Sequence, residues 1–223
     1  MRTEHIGDAT LYLGDCMDIM RDMPDKAFDL AIVDPPYGIG EKFRGGKSGK
    51  MQFNEVVEKG WDAVPKQEYF NELFRVSNNQ IIWGGNYFEL LPSRCWIIWD
   101  KLISEDFSLS MAEMAWTSFD EITKIFRMAT PKDGTKIHPT QKPVALYKWL
   151  LSRYAKPSDT ILDTHGGSGS SVIACMDSGH SITWIEKDED YFNAALERIE
   201  IAYQQPRLFD EPRAKAMPQE LGL

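Results

Sequence analysis

The chain has 223 residues, of which 43% are hydrophobic and 26% charged, and its formal net charge at pH 7 is −9. This length suits one globular domain with a sizeable core, and the acidic balance counts against a protein that grips nucleic acid over its whole surface. No apolar run could cross a bilayer and no secretory signal opens the chain, so we expect a cytoplasmic protein without membrane contact. Three widely spaced cysteines without a CxxC pair argue against disulfides and zinc, and we predict no metal.

Short apolar runs that end in turn or polar residues alternate with helical patterns along the chain. The strand-like runs are 11–13, 28–33, 80–83, 96–99, 160–162 and 181–185. The helical patterns are 15–23, 66–76, 143–154, 170–178 and 188–203. This alternation predicts an α/β fold with a mostly parallel, doubly wound sheet that binds ligands at the carboxyl ends of its strands.

The pattern predicts a single domain over residues 1–203. Residues 41–60 are rich in glycine and lysine and lack periodicity, which predicts a long loop of functional importance. Residues 204–223 contain three prolines and mixed charge, which predicts a loosely ordered tail.

A glycine-rich segment, 163–170, follows one predicted strand and opens a helix. Its glycines allow a sharp turn and a close approach to a ligand, and Glu186 ends the next strand at an offset suited to a ribose hydroxyl. No Gly-Lys-Ser/Thr follows, and the match to GxGxxG is poor. An acid at the strand end, Asp163, suits a cofactor with an ammonium group and no pyrophosphate, such as S-adenosylmethionine. The alternative is a turn that only connects strand to helix.

The strand at 28–33 runs directly into Asp34-Pro35-Pro36-Tyr37. The two prolines fix the backbone and remove donors, so a carboxylate and the Pro35 carbonyl are held rigidly beside an aromatic ring. Two acceptors suit an amino group, and the ring suits a flat base. Because the amino nitrogen of adenine or cytosine is a weak nucleophile, N–H bonds to these acceptors would favour a pyramidal nitrogen able to attack a methyl donor. The alternative is a rigid turn that caps the strand.

Five motifs occur in the order typical of one family. They are Leu13–Cys16, Asp34–Tyr37, His138–Pro143, Ile161–Ser170, and Trp184–Glu186 with Tyr191-Phe192. On these motifs the chain resembles the amino-methylating DNA methyltransferases, in the permuted class whose catalytic motif precedes the cofactor loop, over most of residues 9–203. The resemblance implies a Rossmann-like, S-adenosylmethionine-dependent methyltransferase fold.

The resemblance also implies which residues form the site. The catalytic residues would be Asp34, Pro35, Pro36 and Tyr37. The cofactor residues would be Asp15, Cys16, Asp34, His138, Thr140, Gln141, Lys142, Asp163, Thr164, His165, Gly166, Gly167, Ser168, Gly169, Ser170, Glu186 and Lys187. The family usually has Asp-Pro-Phe where this chain has Asp163-Thr164-His165, and we interpret His165 as a packing substitute for the ring rather than as a base.

The substrate implied is double-stranded DNA, from which the target base is flipped. Basic residues of two segments would hold phosphates. They are Lys42, Arg44, Lys47 and Lys50 in the loop at about 41–60, and Lys124, Arg127, Lys132 and Lys136 in or beside a short target-recognition segment at about 117–137. The alternative is that each segment is a solvated, charged loop with no role in binding.

Several alternatives stay open. Asp-Pro-Pro-Tyr leans towards adenine N6 in this family, with cytosine N4 as the alternative base, and an RNA substrate or a non-catalytic binding relative also remains. Asp34 argues against methylation of a protein glutamine, whose enzymes place Asn there, and the poor GxGxxG match disfavours an oxidoreductase. Gln205–Phe209 resembles peptides that dock sliding clamps, although packing of the tail is the simpler explanation. A homodimer stays open, as does the choice between a solitary enzyme and a partner in restriction-modification.

Overall fold

The structure is a computed structural model, and it describes residues 1–39, 63–106, 110–129 and 136–205. The predicted loop at about 41–60, with Lys42, Arg44, Lys47 and Lys50, lies outside the described residues, as do Lys132 and the segment 206–223.

Within the described residues, nine strands form one sheet. They are β1 (Arg2–Ile6), β2 (Ala9–Leu13), β3 (Phe28–Val33), β4 (Ser77–Trp83), β5 (Trp96–Asp100), β6 (Ala112–Thr117), β7 (Lys124–Arg127), β8 (Ile161–Asp163) and β9 (Ile182–Glu186). Their order is β1-β2-β9-β8-β3-β4-β6-β5-β7. The pairs from β2 to β4 are all parallel, whereas β1 and β6 run antiparallel to their neighbours. The prediction of a mostly parallel sheet is therefore confirmed.

The helices of the described residues are α1 (Cys16–Arg21), α2 (Gln67–Val76), α3 (Val144–Tyr154), α4 (Ser170–Ser178) and α5 (Glu189–Gln204). They cover both faces of the sheet. Since the side chains of a strand point alternately to opposite sides, one strand can contribute to the core on each face. In β3, Leu30 and Ile32 join the core under α3, α4 and α5, while Ala31 and Val33 join the core under α1 and α2. None of these helices is both long and apolar enough to span a bilayer.

Three strands, β1, β6 and β7, are not among the predicted elements. β1 and β7 are edge strands with partly exposed, polar residues, so they lack the apolar run that marks a buried strand. β7 lies inside the segment 117–137 that we expected to recognise the target, so part of this segment belongs to the sheet.

The sheet order brings together strand ends that are far apart in sequence. Because β2, β9, β8 and β3 are parallel neighbours, the residues at or just after their carboxyl ends meet at one edge. These are Asp15, Glu186, Asp163 and Asp34. The antiparallel strand β6 brings its first residues to the same edge, because Ala115 of β6 pairs with Trp83 at the end of β4.

Candidate active site

A cavity of about 430 Å³ opens at this edge of the sheet, a volume in the range of small-molecule sites. It is lined by fifteen of the residues predicted from the sequence: Asp15, Cys16, Asp34, Pro36, His138, Thr140, Gln141, Lys142, Thr164, His165, Gly166, Gly167, Ser168, Glu186 and Lys187. Pro35, Tyr37, Asp163, Gly169 and Ser170 are not among the lining residues and lie directly behind or beside it.

Glu186 joins the glycine segment to the cavity wall. One of its carboxylate oxygens accepts a hydrogen bond from the Gly167 N–H at 2.8 Å, and the other accepts from the Asp188 N–H at 2.8 Å. Burial raises the pKa of Glu186, and the backbone N–H groups oppose that rise. Because each carboxylate oxygen has two lone pairs, Glu186 can accept further donors from a ligand, such as ribose hydroxyls.

Asp163 is 1% exposed and acts from behind the segment. Its two oxygens accept from the His165 N–H at 3.1 Å and from the Ser171 hydroxyl at 2.6 Å. Burial raises its pKa to about 7. In this structure Asp163 therefore fixes the shape of the turn, while Thr164 to Ser168 face the cavity.

The two histidines of the site are neutral packing groups at physiological pH. Burial lowers the pKa of His165 to about 3, and the ring lies edge-on to Tyr69 with centroids 5.2 Å apart. Burial likewise lowers the pKa of His138 to about 4, and that ring lies edge-on to Tyr191 at 4.4 Å. Neither ring therefore supplies a positive charge to a ligand.

At the other end of the cavity, Asp34 is held by two side chains. The Tyr37 hydroxyl donates to its Oδ1 at 2.5 Å, and the Lys142 ammonium donates to its Oδ2 at 2.5 Å. Burial raises the pKa of Asp34 above its usual value, although the Lys142 charge opposes this. The Tyr37 ring stacks on the half-exposed Tyr87, with centroids 5.2 Å apart and planes 16° apart.

Sequence reasoning missed several residues of the site. Glu113, at the start of β6, accepts from Lys142 at 3.0 Å and from Lys101 at 2.7 Å. Tyr69 of α2 lines the cavity and its hydroxyl lies 2.7 Å from the Thr164 hydroxyl. Neither Glu113 nor Tyr69 belongs to a motif of the sequence. Only in the folded structure does Glu113 lie near Asp34, and Tyr69 beside Thr164.

The predicted DNA-contacting residues that the structure describes are not among the cavity-lining residues. Lys124 and Arg127 are on the edge strand β7, where Arg127 pairs with Asp100 at 3.4 Å, and Lys136 lies two residues before His138. Across the described part of the chain, no group of three or more His, Cys, Asp or Glu side chains is arranged to hold a metal ion.

The fold is a doubly wound, mostly parallel sheet with a cavity at the carboxyl ends of its parallel strands, which is the edge at which such sheets bind ligands. A model of the DNA methylase family matches residues 66–197, more than half of the chain. The chain therefore belongs to this family of DNA amino-methyltransferases. The segment Asp34–Tyr37 precedes the matched residues. Its place in the candidate site therefore depends on the contacts and the cavity lining described above.

Two curated relatives are similar over most of their length. YubD of Escherichia coli (strain K12), which is named as a candidate methylase, is 26% identical over 209 residues, covering 83% of this chain and 88% of the relative. The type II methyltransferase M.HinfI of Haemophilus influenzae is 24% identical, covering 89% of this chain and 71% of the relative.

Two solved structures share the fold. M1.HpyAVI, crystallised as a complex with S-adenosylmethionine, has a TM-score of 0.58 at 19% identity, covering 86% of this chain and 98% of that one. The cytosine-N4-specific PvuII DNA methyltransferase has a TM-score of 0.59 at 13% identity, covering 88% of this chain and 91% of that one. At these identities the likeness concerns the fold alone.

Proposed function

We propose that the chain transfers a methyl group from S-adenosylmethionine to the exocyclic amino nitrogen of a base in double-stranded DNA, with adenine N6 as the base position. The observation that carries this proposal is that Asp34 lines the same cavity as the glycine segment and Glu186. Membership of the DNA methylase family supports the reaction class. The choice of adenine is supported by the Asp-Pro-Pro-Tyr motif, which in similar enzymes accompanies adenine more often than cytosine.

The residues of the cavity fit S-adenosylmethionine chemically. Its ammonium and sulfonium groups are positive, and the carboxylates of Asp15, Asp34 and Glu186 line the cavity. Glu186 has lone pairs for the ribose hydroxyls, and the Gly166-Gly167 backbone lets a ligand approach closely. When bound, this cofactor supplies an electrophilic methyl group.

The chain's own residues would position the base. Asp34 and the Pro35 carbonyl would accept the two N–H bonds of the amino group, which directs the nitrogen lone pair away from them. The Tyr37 ring lies beside Asp34 at the same edge with one face stacked on Tyr87, so a flipped base would have to stack on the ring surface that Tyr87 leaves open. The chain contributes no covalent bond in this scheme, so positioning and electrostatics supply the rate enhancement.

The test is transfer of labelled methyl to duplex DNA, followed by digestion and nucleoside analysis. N6-methyl-2′-deoxyadenosine is expected, whereas N4-methyl-2′-deoxycytidine would overturn the base assignment. Absence of transfer at a cofactor concentration shown by calorimetry to saturate the protein would overturn the function.

A variant of the reacting acid sharpens this test. We expect Asp34→Ala to lower the transfer rate by about 100-fold or more, because an acceptor for the amino group is lost. The variant should still bind the cofactor through the glycine segment and Glu186, so calorimetry separates a loss of transfer from a loss of binding. Asp177→Asn, on the surface beside Lys148, is the control that should keep full activity.

The remaining assignments stay predictions. A cytoplasmic location agrees with a DNA substrate and with three free cysteines. Clamp docking through Gln205–Phe209 falls on residues of which only Gln205 is described, and a homodimer is likewise a prediction.

A further inference from the structure

Four side chains of alternating charge form a row that ends on Asp34. Lys101 contacts Glu113 at 2.7 Å, Glu113 contacts Lys142 at 3.0 Å, and Lys142 contacts Asp34 at 2.5 Å. We call Lys101, Glu113, Lys142 and Asp34 the charge row. Its members come from four separate parts of the chain: the end of β5, the start of β6, the segment before α3, and the residue after β3.

Lys142 is the most deeply buried member, with 2% of its side chain exposed. Its ammonium lies 5.1 Å from the centre of the Trp83 ring and 5.9 Å from that of Tyr37. Burying an ammonium is costly even when it is paired, and an apolar side chain would often be as stable there. The position of this charge on the proposed reacting acid therefore points to a role in the reaction.

The contacts also define what Asp34 can still do. Lys142 uses one lone pair of Oδ2 and the Tyr37 hydroxyl uses one lone pair of Oδ1. Each oxygen keeps a second lone pair. The carboxylate can therefore accept an amino N–H while both of its oxygens remain fixed in place.

We propose that Lys142, held in place by Glu113, is a positioning residue that keeps Asp34 ionised and orients it towards the amino group of the target base. The inference rests on the proposed function, because it depends on Asp34 as the acceptor. It gives Lys142, expected from the resemblance to serve the cofactor, a second role towards the base. Glu113 enters the site as a residue that no motif indicated.

The charges around Asp34 oppose one another. Burial disfavours its ionised form most strongly and Glu113 from β6 adds to this, whereas Lys142 favours it. Asp163 of β8, whose own pKa the Asp34 charge raises, is the other nearby acid. The hydroxyls of Tyr37, Tyr69 and Tyr147 also face this region; burial raises the pKa of each well above its usual value, so they stay neutral. The charge of Asp34 is therefore set by burial, which disfavours it, and by the opposing charges of Lys142 and Glu113.

This balance predicts opposite effects for the two partners of the row. Asp34 must be ionised to accept the Lys142 ammonium, the Tyr37 hydroxyl and an amino N–H together, so activity is lost as the pH falls through its pKa. Without the Lys142 charge the pKa of Asp34 rises, and the acid limb of the rate profile moves to higher pH. Without the Glu113 charge the pKa of Asp34 falls, and the acid limb moves to lower pH.

The experiment compares single-turnover methyl transfer between about pH 5 and 9 for the wild type, Lys142→Met and Glu113→Gln. We expect Lys142→Met to lower the rate at neutral pH by about 100-fold and to move the acid limb upwards by about one pH unit. Glu113→Gln should move the limb downwards. Lys148→Met, which removes a surface lysine paired with Asp177, should leave the profile unchanged.

Two further measurements separate this role from a structural one. Cofactor affinity by calorimetry should stay within about threefold of wild type in Glu113→Gln, because Glu113 is not among the cavity-lining residues, whereas Lys142 lines the cavity and Lys142→Met is judged by its pH profile. Limbs that do not move, or that move in the same direction, would overturn the proposal. If Lys142→Met does not fold, the direction in which Glu113→Gln moves the acid limb of the rate profile decides. A wild type that transfers no methyl group would instead contradict the proposed function.

Discussion

Tyr37 lies against a glycine that leaves no room for a side chain. Gly84 follows β4 with a φ of +69°, and a Cβ atom built on it would lie 2.1 Å from Cε1 of Tyr37. Tyr87, three residues later, stacks on the same ring. The position of the Tyr37 ring, and with it the hydroxyl that holds Asp34, therefore depends on this turn.

We predict that Gly84→Ala displaces the Tyr37 ring and lowers the methyl-transfer rate by at least about 10-fold, while cofactor affinity is retained. Transfer to duplex DNA and calorimetry measure the two quantities. The matched control is Gly179→Ala, which has a φ of +72° but no atom within 4 Å of its added Cβ. Both variants carry a similar backbone strain of about 1–2 kcal/mol. Equal losses of activity would show that strain, and not the Tyr37 contact, is responsible.

Single residues differ in how far the sequence reveals them. Asp34 and Glu186 could be predicted because each follows an apolar strand, and polar residues at such ends face ligands. Lys142 was visible as part of a motif, but its partner Asp34 is 108 residues away. Glu113 could not be predicted, since it begins a strand whose place beside β4 depends on the sheet order.

Whole elements followed the sequence pattern closely where they are buried. The predicted helix at 170–178 and the predicted strand at 28–33 match α4 and β3. Both elements are packed in the core, so their apolar residues form a pattern that the sequence shows. β6 escaped prediction because only its last three residues are buried. β7 has just four residues, with Ile125 exposed, which leaves too little pattern to detect.

The glycine segment packs tightly against β9 at one position, Gly166. A Cβ atom on Gly166 would lie 1.9 Å from Cε2 of Trp184, whose side chain is fully buried. The indole N–H of Trp184 has no hydrogen-bond partner among the described residues. Glycine is therefore needed here for space, and shortening Trp184 would break no hydrogen bond in that part of the structure.

We predict that Gly166→Ala destabilises the protein by about 1–3 kcal/mol through overpacking against Trp184. Trp184→Phe removes the contacted atoms, so the double variant should lose less than the sum of the two single losses. Urea unfolding of the four proteins measures the coupling. Additive losses would mean that the alanine methyl is accommodated elsewhere, and the proposed fit between segment and strand would be wrong.

At the scale of the whole molecule, a net charge of −9 has to be reconciled with a DNA substrate. An acidic protein can bind DNA only through a local basic surface, because phosphate contacts supply most of the affinity. On the described residues, Lys124 and Arg127 lie on the far edge strand, and Arg127 is already paired with Asp100. The four basic residues between 42 and 50 are therefore the stronger candidates from the sequence.

We predict that reversing these four charges to Glu weakens DNA binding and flattens its salt dependence at the same time. The changed residues are Lys42, Arg44, Lys47 and Lys50. Each phosphate contact contributes about 0.9 to the slope of log affinity against log salt, so the loss of two to four contacts lowers the slope by about 2–4. Fluorescence anisotropy with a labelled duplex at several salt concentrations measures it. Reversal of Lys124 and Arg127 is the comparison and should change the slope less. If the fourfold variant binds DNA as the wild type does across the titration, this segment does not contact the DNA. The edge strand β7 would then be the alternative contact.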